Sequence, residues 1–478
     1  MTTITRPRPT RTSIGGIRAL PSRADIPAWI RYLALAAALL VVITAVFLGT
    51  DAGSTRTAVE VIGQRTAPTV TATEDLYFAL ADMDAQLANV LLAGDDSVLA
   101  ATRAAALTGY EHRRVQADAD LQQAMTIATG DDAALRIREL LDRFGQYEAL
   151  AAETMQLSDL DRGPAGQPSA RTLEDYRSAS GLVPDLLARA QKLADSNSGV
   201  LESSYSTAEH TTVAARIRLA VLGALLLGTL IGLQILLRVT MHRRLNPALI
   251  VATALGTALL IGGFAGNSTA AQQLTIAKKD AFDSLLALRQ ARAVGYSANA
   301  DESRYLLDPE HAAEHQQAFL TASQRLAGVP VHSVFDYDAG LDTALTAYRT
   351  TGEVNLSADS FLGKELRNIT FAGERDTAVG TLNAYQVYQR DDRRIRELAR
   401  TDLPAAIALC TGSSNEHFTA YDNALVATID INQRAFDASI GETESALAGW
   451  NNWLPLAGTA AILSLILLGV RPRLAEYR

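Results

Sequence analysis

Five arginines in three short groups are the residues best suited to bind a ligand or a partner. Each has acidic or aromatic neighbours in the sequence. The planar guanidinium group matches the geometry of a carboxylate, such as that of an amino acid. The alternative is ordinary ion pairing on exposed helix faces, which contributes only a few tenths of a kcal/mol per pair. The candidates for ligand or partner binding are Arg113, Arg114, Arg304, Arg393 and Arg394.

The sequence contains no familiar catalytic motif. G-x-S-x-G, the Walker glycine loop, H-E-x-x-H and Cys/His metal spacings are all missing. His311 and His315 are four residues apart, as on one helix face, but two histidines make a weak metal site. A solvated helix face is the favoured interpretation. We therefore expect no enzymatic activity and no catalytic, cofactor-binding or metal-binding residues.

Four apolar stretches divide the chain, and each is about long enough to cross the ~30 Å hydrocarbon core of a membrane. Arginines crowd the N-terminal tail, the short loop near residue 243 and the C-terminus. The positive-inside rule then places both termini and this loop in the cytoplasm of a multi-pass plasma-membrane protein. The predicted transmembrane helices are 29–49, 215–238, 247–266 and 453–470, separated by the cytoplasmic segments 1–28, 239–246 and 471–478.

The two remaining segments, 50–214 and 267–452, are then outside the cell. Both are acidic, in a chain of net charge −9, so a nucleic-acid partner is not expected. The only cysteine, Cys410, lies in an apolar sequence and is predicted to be a buried small hydrophobe, without a disulfide.

Helical periodicity dominates both outer segments. In the first, apolar residues recur at steps of four and three, which predicts a seam facing partner helices. This seam consists of Leu76, Leu80, Met83, Leu87 and Val90, whereas Asp82, Asp84, Gln86 and Asn89 are expected on the outward face. We predict an all-α protein with four transmembrane helices and two extracytoplasmic bundles, related by tandem duplication. The first segment is predicted to be a four-helix bundle.

Small residues recur every four positions in two of the apolar stretches. Such spacing allows close approach of transmembrane helices. The predicted packing positions are Gly228, Gly232, Gly262 and Gly266.

The basic tail 1–28 has the composition of a disordered segment. It either fixes the membrane topology or serves as a kinase substrate or docking strip.

Two turns in the outer segments resemble a known class of sensory domain. Leu-Leu-Ala-Gly-Asp at 91–95 and Tyr-Leu-Leu-Asp-Pro at 305–309 resemble the corresponding turn in the four-helix-bundle sensory domains of chemoreceptors and histidine kinases. The order of parts is similar to that of actinobacterial GlnX-type membrane sensors, with the relevant residues at 76–86, 298–308 and 365–371. That resemblance implies an extracellular glutamate- or glutamine-binding lipoprotein and a cytosolic Ser/Thr kinase, protein kinase G, as partners.

The leading hypothesis is therefore a non-enzymatic membrane sensor or adaptor that relays the status of an extracellular amino acid to a cytoplasmic kinase. The alternative is a structural scaffold protein of the cell envelope, and an enzyme is the third interpretation. The expected partners are the lipid bilayer, a solute-binding lipoprotein and a Ser/Thr kinase. The sequence leaves open whether the chain forms a homo-oligomer.

Overall fold

The outer segments and the apolar stretches are helical, as their periodicity predicts. A computed structural model describes residues 26–127, 131–241 and 246–475, and in these ranges it contains helices but no strand. The all-α prediction is confirmed. The predictions for residues 1–25, for the central loop at 242–245 and for 476–478 lie outside the described residues.

Fifteen α-helices follow one another in the described part of the chain. They are α1 (Ile26–Val61), α2 (Ala67–Ala93), α3 (Ala100–Ile127), α4 (Asp131–Asp161), α5 (Ala170–Ser180), α6 (Val183–Met241), α7 (Pro247–Thr275), α8 (Asp283–Leu307), α9 (Ala312–Leu326), α10 (Val334–Thr351), α11 (Phe361–Arg367), α12 (Glu374–Ala399), α13 (Leu403–Leu409), α14 (Asn415–Ala446) and α15 (Trp453–Ala475). Three π-helical segments interrupt them, at Ile62–Thr66, Ile276–Phe282 and Cys410–Ser414, and a 3₁₀ turn spans Pro309–His311.

One compact unit consists of the described residues within Met1–Ala52, Ala214–Gly266 and Gly449–Arg478. Its described residues include the apolar parts of four helices that are long and apolar enough to cross a membrane, namely α1, α6, α7 and α15. Their inner faces share a core around Ile30, Leu230 and Ile466, while large apolar side chains such as Leu35 and Leu467 are exposed. Exposed apolar surface on this scale is stable only in lipid or against a partner, so this unit belongs to a membrane protein.

The second compact unit combines the two outer segments, as Gly53–Val213 and Asn267–Ala448. The sequence predicts two outer bundles, whereas the structure packs residues of both segments around shared apolar cores. One such core contains Val59 and Val70 from the first segment together with Phe282 and Leu285 from the second. The physical reason is that α2 and α8 lie side by side, which buries the remaining face of each helix.

Contacts between α2 and α8 keep a nearly constant sequence separation. Asp75 pairs with Arg289, and Asn89 accepts a hydrogen bond from Ser303 at 2.8 Å, so both pairs are 214 residues apart. A constant separation means that the two helices run parallel and in register. The π-helical segments that precede them begin at Ile62 and Ile276, also 214 residues apart. This matching order supports the duplicated plan of the chain.

The apolar seam of α2 is buried as predicted, with all five of its members at most 2% exposed. The prediction for its polar face was wrong. Asp82, Asp84 and Asn89 are also buried, at 3%, 2% and 6% exposure, and only Gln86 is half-buried. Asp84 and Asn89 contact Arg304 and Ser303 of α8 and so connect the two outer segments, whereas Asp82 pairs with Arg113 of α3. Cys410, by contrast, is buried as predicted.

Candidate functional site

A cleft of about 310 Å³ lies between the two outer segments at the N-terminal ends of α2 and α8. Both π-helical segments contribute to its wall, through Gly63 and Phe282. Segments of this kind widen a helix by one residue and are frequent at functional sites. Gly63 is required by close packing, because a Cβ atom there would come within 2.8 Å of the Ile440 side chain.

Apolar and acidic side chains face each other in this cleft. The apolar side includes Phe282, Leu285 and Phe436, and the two phenyl rings are 5.6 Å apart between centroids. The acidic side chains come from three helices: Asp75 from α2, Asp120 from α3 and Asp437 from α14. We refer to this site as the acidic cleft. Its surface is complementary to a small molecule that has a cationic group and an apolar part.

Burial makes two of the carboxyl groups in this region hard to ionise. Burial, followed by the charge of Asp75, raises the pKa of Asp120 to about 7. Its Oδ2 atom is buried and accepts no hydrogen bond from the described residues. Burial also raises the pKa of Glu74 to about 7, although Gln290 donates a hydrogen bond of 3.0 Å to its Oε1. A cationic ligand would satisfy the unpartnered oxygen of Asp120 and favour its ionised form.

A second polar cluster lies farther along α2, around the ring of Phe78. The guanidinium groups of Arg113 and Arg292 are 4.4 and 3.9 Å from the ring centroid. Arg113 Nε donates to Asp82 at 2.6 Å, and Arg292 donates to both carboxylate oxygens of Asp422 at 2.7 and 2.8 Å. This cluster joins four helices, α2, α3, α8 and α14, through cation–π contacts and ion pairs.

A third cluster is wholly buried beside the C-terminal half of α8. Arg396 is fully buried and donates to both oxygens of Asp392 at 2.8 and 2.9 Å. Glu302 accepts hydrogen bonds from Tyr388 at 3.0 Å and Ser414 at 2.9 Å, and burial raises its pKa well above the ordinary value. The sequence places Arg396 near Asp392, but sequence reasoning did not predict that they are buried with Glu302 and Tyr388. The signal was present, since Tyr388, Asp392 and Arg396 recur at steps of four on the face that carries apolar core residues.

The five predicted arginines differ in burial. Arg113 and Arg304 are the most buried, with side chains 19% and 12% exposed. Arg304 connects the outer segments by donating to Tyr176 at 3.0 Å and pairing with Asp84. Arg114 pairs with Glu111 at 2.7 Å and lines a groove between α3 and α4. Arg393 pairs with Asp338 at 3.0 Å, and Arg394 forms an i,i+3 pair with Glu397. None of the five lines the acidic cleft, so their role in ligand binding stays a prediction.

The four predicted packing glycines differ in their surroundings. A Cβ atom at Gly262 would come within 2.7 Å of the Trp450 ring. At Gly228 and Gly232 an added Cβ atom would meet no described atom within 4 Å. Gly266 is half-buried. Among these positions in the described chain, Gly262 is closely packed against a neighbouring side chain, whereas Gly228 and Gly232 have space for a Cβ atom.

The two histidines expected on a solvated helix face are in polar surroundings. His315 is 20% exposed and its Nδ1 atom is 3.5 Å from the Asp301 carboxylate. His311 Nδ1 is 3.0 Å from Asp308. The structure thus brings both rings to carboxylates of α8 and its C-terminal cap.

The fold and the apolar helices define an α-helical membrane protein with a large polar unit. A sequence model of the family described as "Actinobacterial sensor domain" matches residues 58–206. The match covers α2 to α5 and parts of α1 and α6, including two of the acidic side chains of the cleft. Together with the four candidate membrane spans, it supports a membrane sensor. Neither a curated protein nor a solved structure showed significant similarity to the chain. The resemblances to GlnX-type sensors and to chemoreceptor domains stay predictions.

Proposed function

We propose that this protein is a non-enzymatic membrane sensor that relays the presence of an extracellular amino acid to a cytoplasmic Ser/Thr protein kinase. The observation that carries the proposal is the acidic cleft, which is built from both outer segments and lies partly in the segment similar to a sensor-domain family. A ligand that contacts both segments can favour one arrangement of α2 and α8 over another. Such a difference in affinity between two states is the physical requirement for a relay.

The chemistry of the cleft supports an amino acid as the solute. Its ammonium group would be attracted by Asp120 and Asp75, and its side chain would contact the ring of Phe282 or Phe436. A volume of about 310 Å³ is at the small end of the range for ligand pockets, which suits a molecule of this size.

Three helices support the relay, because α1, α6 and α7 each contain residues of both compact units. A change in helix packing within the second compact unit can therefore be transmitted along the backbone hydrogen bonds of a continuous helix. The orientation with both termini in the cytoplasm, the kinase, and a solute-binding lipoprotein that delivers the amino acid are parts of the proposal. They rest on the arginine distribution and on the resemblance to GlnX-type sensors.

The test is co-purification of the full-length protein from native membranes in mild detergent, with and without added glutamate or glutamine. We expect to recover a solute-binding lipoprotein and a cytosolic kinase in amounts that the amino acid changes. Asp120→Asn should abolish this change, whereas the control Asp359→Asn, at an exposed position outside the acidic cleft, should preserve it. Recovery of envelope proteins alone, unchanged by the amino acid, would instead support the scaffold function.

A further inference from the structure

A cluster of two histidines and two carboxylates lies at the end of α8. Asp308 caps this helix, Glu310 and His311 form the following 3₁₀ turn, and His315 lies in the first turns of α9. The ligand atoms of Asp308, Glu310 and His311 all lie within 4.8 Å of one another. The cluster is separate from the acidic cleft, whose wall contains none of these residues.

The distances from Asp308 to the two histidines are close to those between ligands of a tetrahedral metal site. Asp308 Oδ2 is 3.0 Å from His311 Nδ1 and 3.8 Å from His315 Nε2. Ligand atoms that bind one Zn²⁺ ion at about 2.0 Å are separated by about 3.3 Å in tetrahedral geometry. Asp308 and His311 are already close enough to share one ion, and a change of the His315 rotamer would bring its Nε2 atom to the same ion, with Glu310 or water as the fourth ligand.

A second carboxylate orients His315. Its Nδ1 atom faces Asp301 Oδ1 at 3.5 Å, while its Nε2 atom faces Asp308. Asp301 is itself held by Arg304 at 2.8 Å. A carboxylate beside the second ring nitrogen is the usual outer partner of a metal-binding histidine, because it fixes the tautomer and makes the ring a better ligand.

A guanidinium group already uses the same carboxylates. Arg177 of α5 donates to both oxygens of Asp308, with Nε to Oδ2 at 2.9 Å, and to Glu310 at 2.7 Å. These bonds connect the first outer segment to the end of α8. A metal ion on Asp308 Oδ2 would compete with Arg177, since Arg177 Nε donates to the same oxygen that His311 and His315 approach.

We propose that Asp308, His311 and His315 bind a divalent transition-metal ion such as Zn²⁺, in competition with Arg177 for the Asp308 carboxylate. Metal binding and the contact between α5 and the end of α8 are then mutually exclusive. The ion favours the arrangement in which this contact is released. Removal of the arginine strengthens metal binding, and removal of the histidines weakens it.

The experiment measures Zn²⁺ binding to the chelator-treated full-length protein in detergent, by competition with a chromophoric zinc chelator. We expect His311→Ala/His315→Ala to weaken binding at least tenfold, and Arg177→Gln to strengthen it several-fold. His417→Gln is the matched control, because this histidine also contacts an aspartate, Asp391, in another part of the unit. It should leave the affinity for Zn²⁺ unchanged.

A second substitution keeps the test independent of folding. Arg177→Lys retains the positive charge but cannot donate to both Asp308 oxygens in the same planar manner. It should also strengthen Zn²⁺ binding, and circular dichroism of each variant confirms that the helices remain. The proposal is overturned if the double histidine variant binds Zn²⁺ as the parent does, if a folded Arg177 variant binds more weakly, or if neither parent nor variant binds.

Discussion

Arg304 and Arg394 both pair with carboxylates, but the partners of Arg304 are buried and the partner of Arg394 is exposed. The Arg304 side chain is 12% exposed and pairs with Asp84 and Asp301, whose side chains are 3% and 11% exposed. Arg394 is 59% exposed and pairs with a single exposed glutamate. Breaking a buried ion pair leaves an uncompensated buried charge, at a cost of about 3–5 kcal/mol, whereas exposed pairs contribute about 0–1 kcal/mol.

We therefore expect Arg304→Ala to lower the free energy of unfolding by about 3 kcal/mol or more, and Arg394→Ala by less than about 0.5 kcal/mol. Denaturant titration of both variants in the same detergent, followed by circular dichroism, measures the difference. Equal effects of the two substitutions would show that Arg304 does not stabilise the contact between the outer segments.

The carboxyl group of Glu74 predicts a pH dependence of stability. Its pKa is raised from 4.5 to about 7 in the folded protein, chiefly by burial. The folded state then binds more protons than the unfolded state between these two values, so stability falls as the pH rises through this window. A shift of this size corresponds to an upper limit of about 3 kcal/mol.

Glu74→Gln removes this titration, because glutamine stays neutral and keeps a similar shape. We expect the loss of stability between pH 5 and pH 8 to be smaller in the variant than in the parent protein by about 1–3 kcal/mol. Thermal or denaturant unfolding at several pH values measures it. Asp359→Asn, at an exposed carboxylate, serves as the control. Parallel pH curves for the parent and Glu74→Gln would contradict the buried state of Glu74.

The turn between α2 and α3 depends on a glycine whose backbone and surroundings both exclude a side chain. Gly94 has φ +56°, and a Cβ atom there would lie 2.7 Å from the Gly163 carbonyl oxygen. Gly352, at the end of α10, also has a positive φ of +76°, but its Cβ position is open. Gly352 is in the left-handed αL conformation, which costs a non-glycine residue about 1–2 kcal/mol. Gly94, with ψ −147°, lies in a region of backbone conformation that is almost confined to glycine.

Gly94→Ala should thus destabilise the protein by clearly more than Gly352→Ala, for which we expect about 1 kcal/mol. The difference between them reports two effects at Gly94, its backbone conformation and the steric conflict with the backbone of residues 163–164. Unfolding of the two variants under identical conditions measures it. A similar cost at both positions would mean that residue 94 changes its backbone conformation and the 163–164 backbone moves away easily.

The helices themselves were predictable from the sequence. For α2, the burial of its apolar face was predictable, but the burial of its polar face was not. Steps of four and three identified the buried seam from Leu76 to Val90, because one apolar stripe signals one packed face. Asp82, Asp84 and Asn89 contain no such signal, since polar residues usually mark a solvated face. Their burial depends on Arg113, Arg304 and Ser303, two of which are more than 200 residues away in the sequence.

At the scale of the whole molecule, the acidic cleft was not predictable for the same reason. Its wall combines Asp75 and Asp120 with Phe282 and Phe436, and no local pattern connects these residues. The register of 214 residues between α2 and α8 brings them together. The sequence did contain hints of that register, in the two turns at 91–95 and 305–309, which are also separated by about one such interval.

The orientation of the chain in the membrane is predicted by its arginines alone, and the buried state of Cys410 makes it testable. Because this cysteine is fully buried, the parent protein should react little with a membrane-impermeant maleimide in intact cells. Glu353→Cys, at an exposed position of the outer unit, should be labelled strongly. Arg243→Cys, in the loop predicted to be cytoplasmic, should be labelled only after the membrane is permeabilised. If Arg243→Cys is labelled in intact cells and Glu353→Cys is not, the orientation of the chain is opposite to the predicted one. The solute would then be sensed on the other side of the membrane.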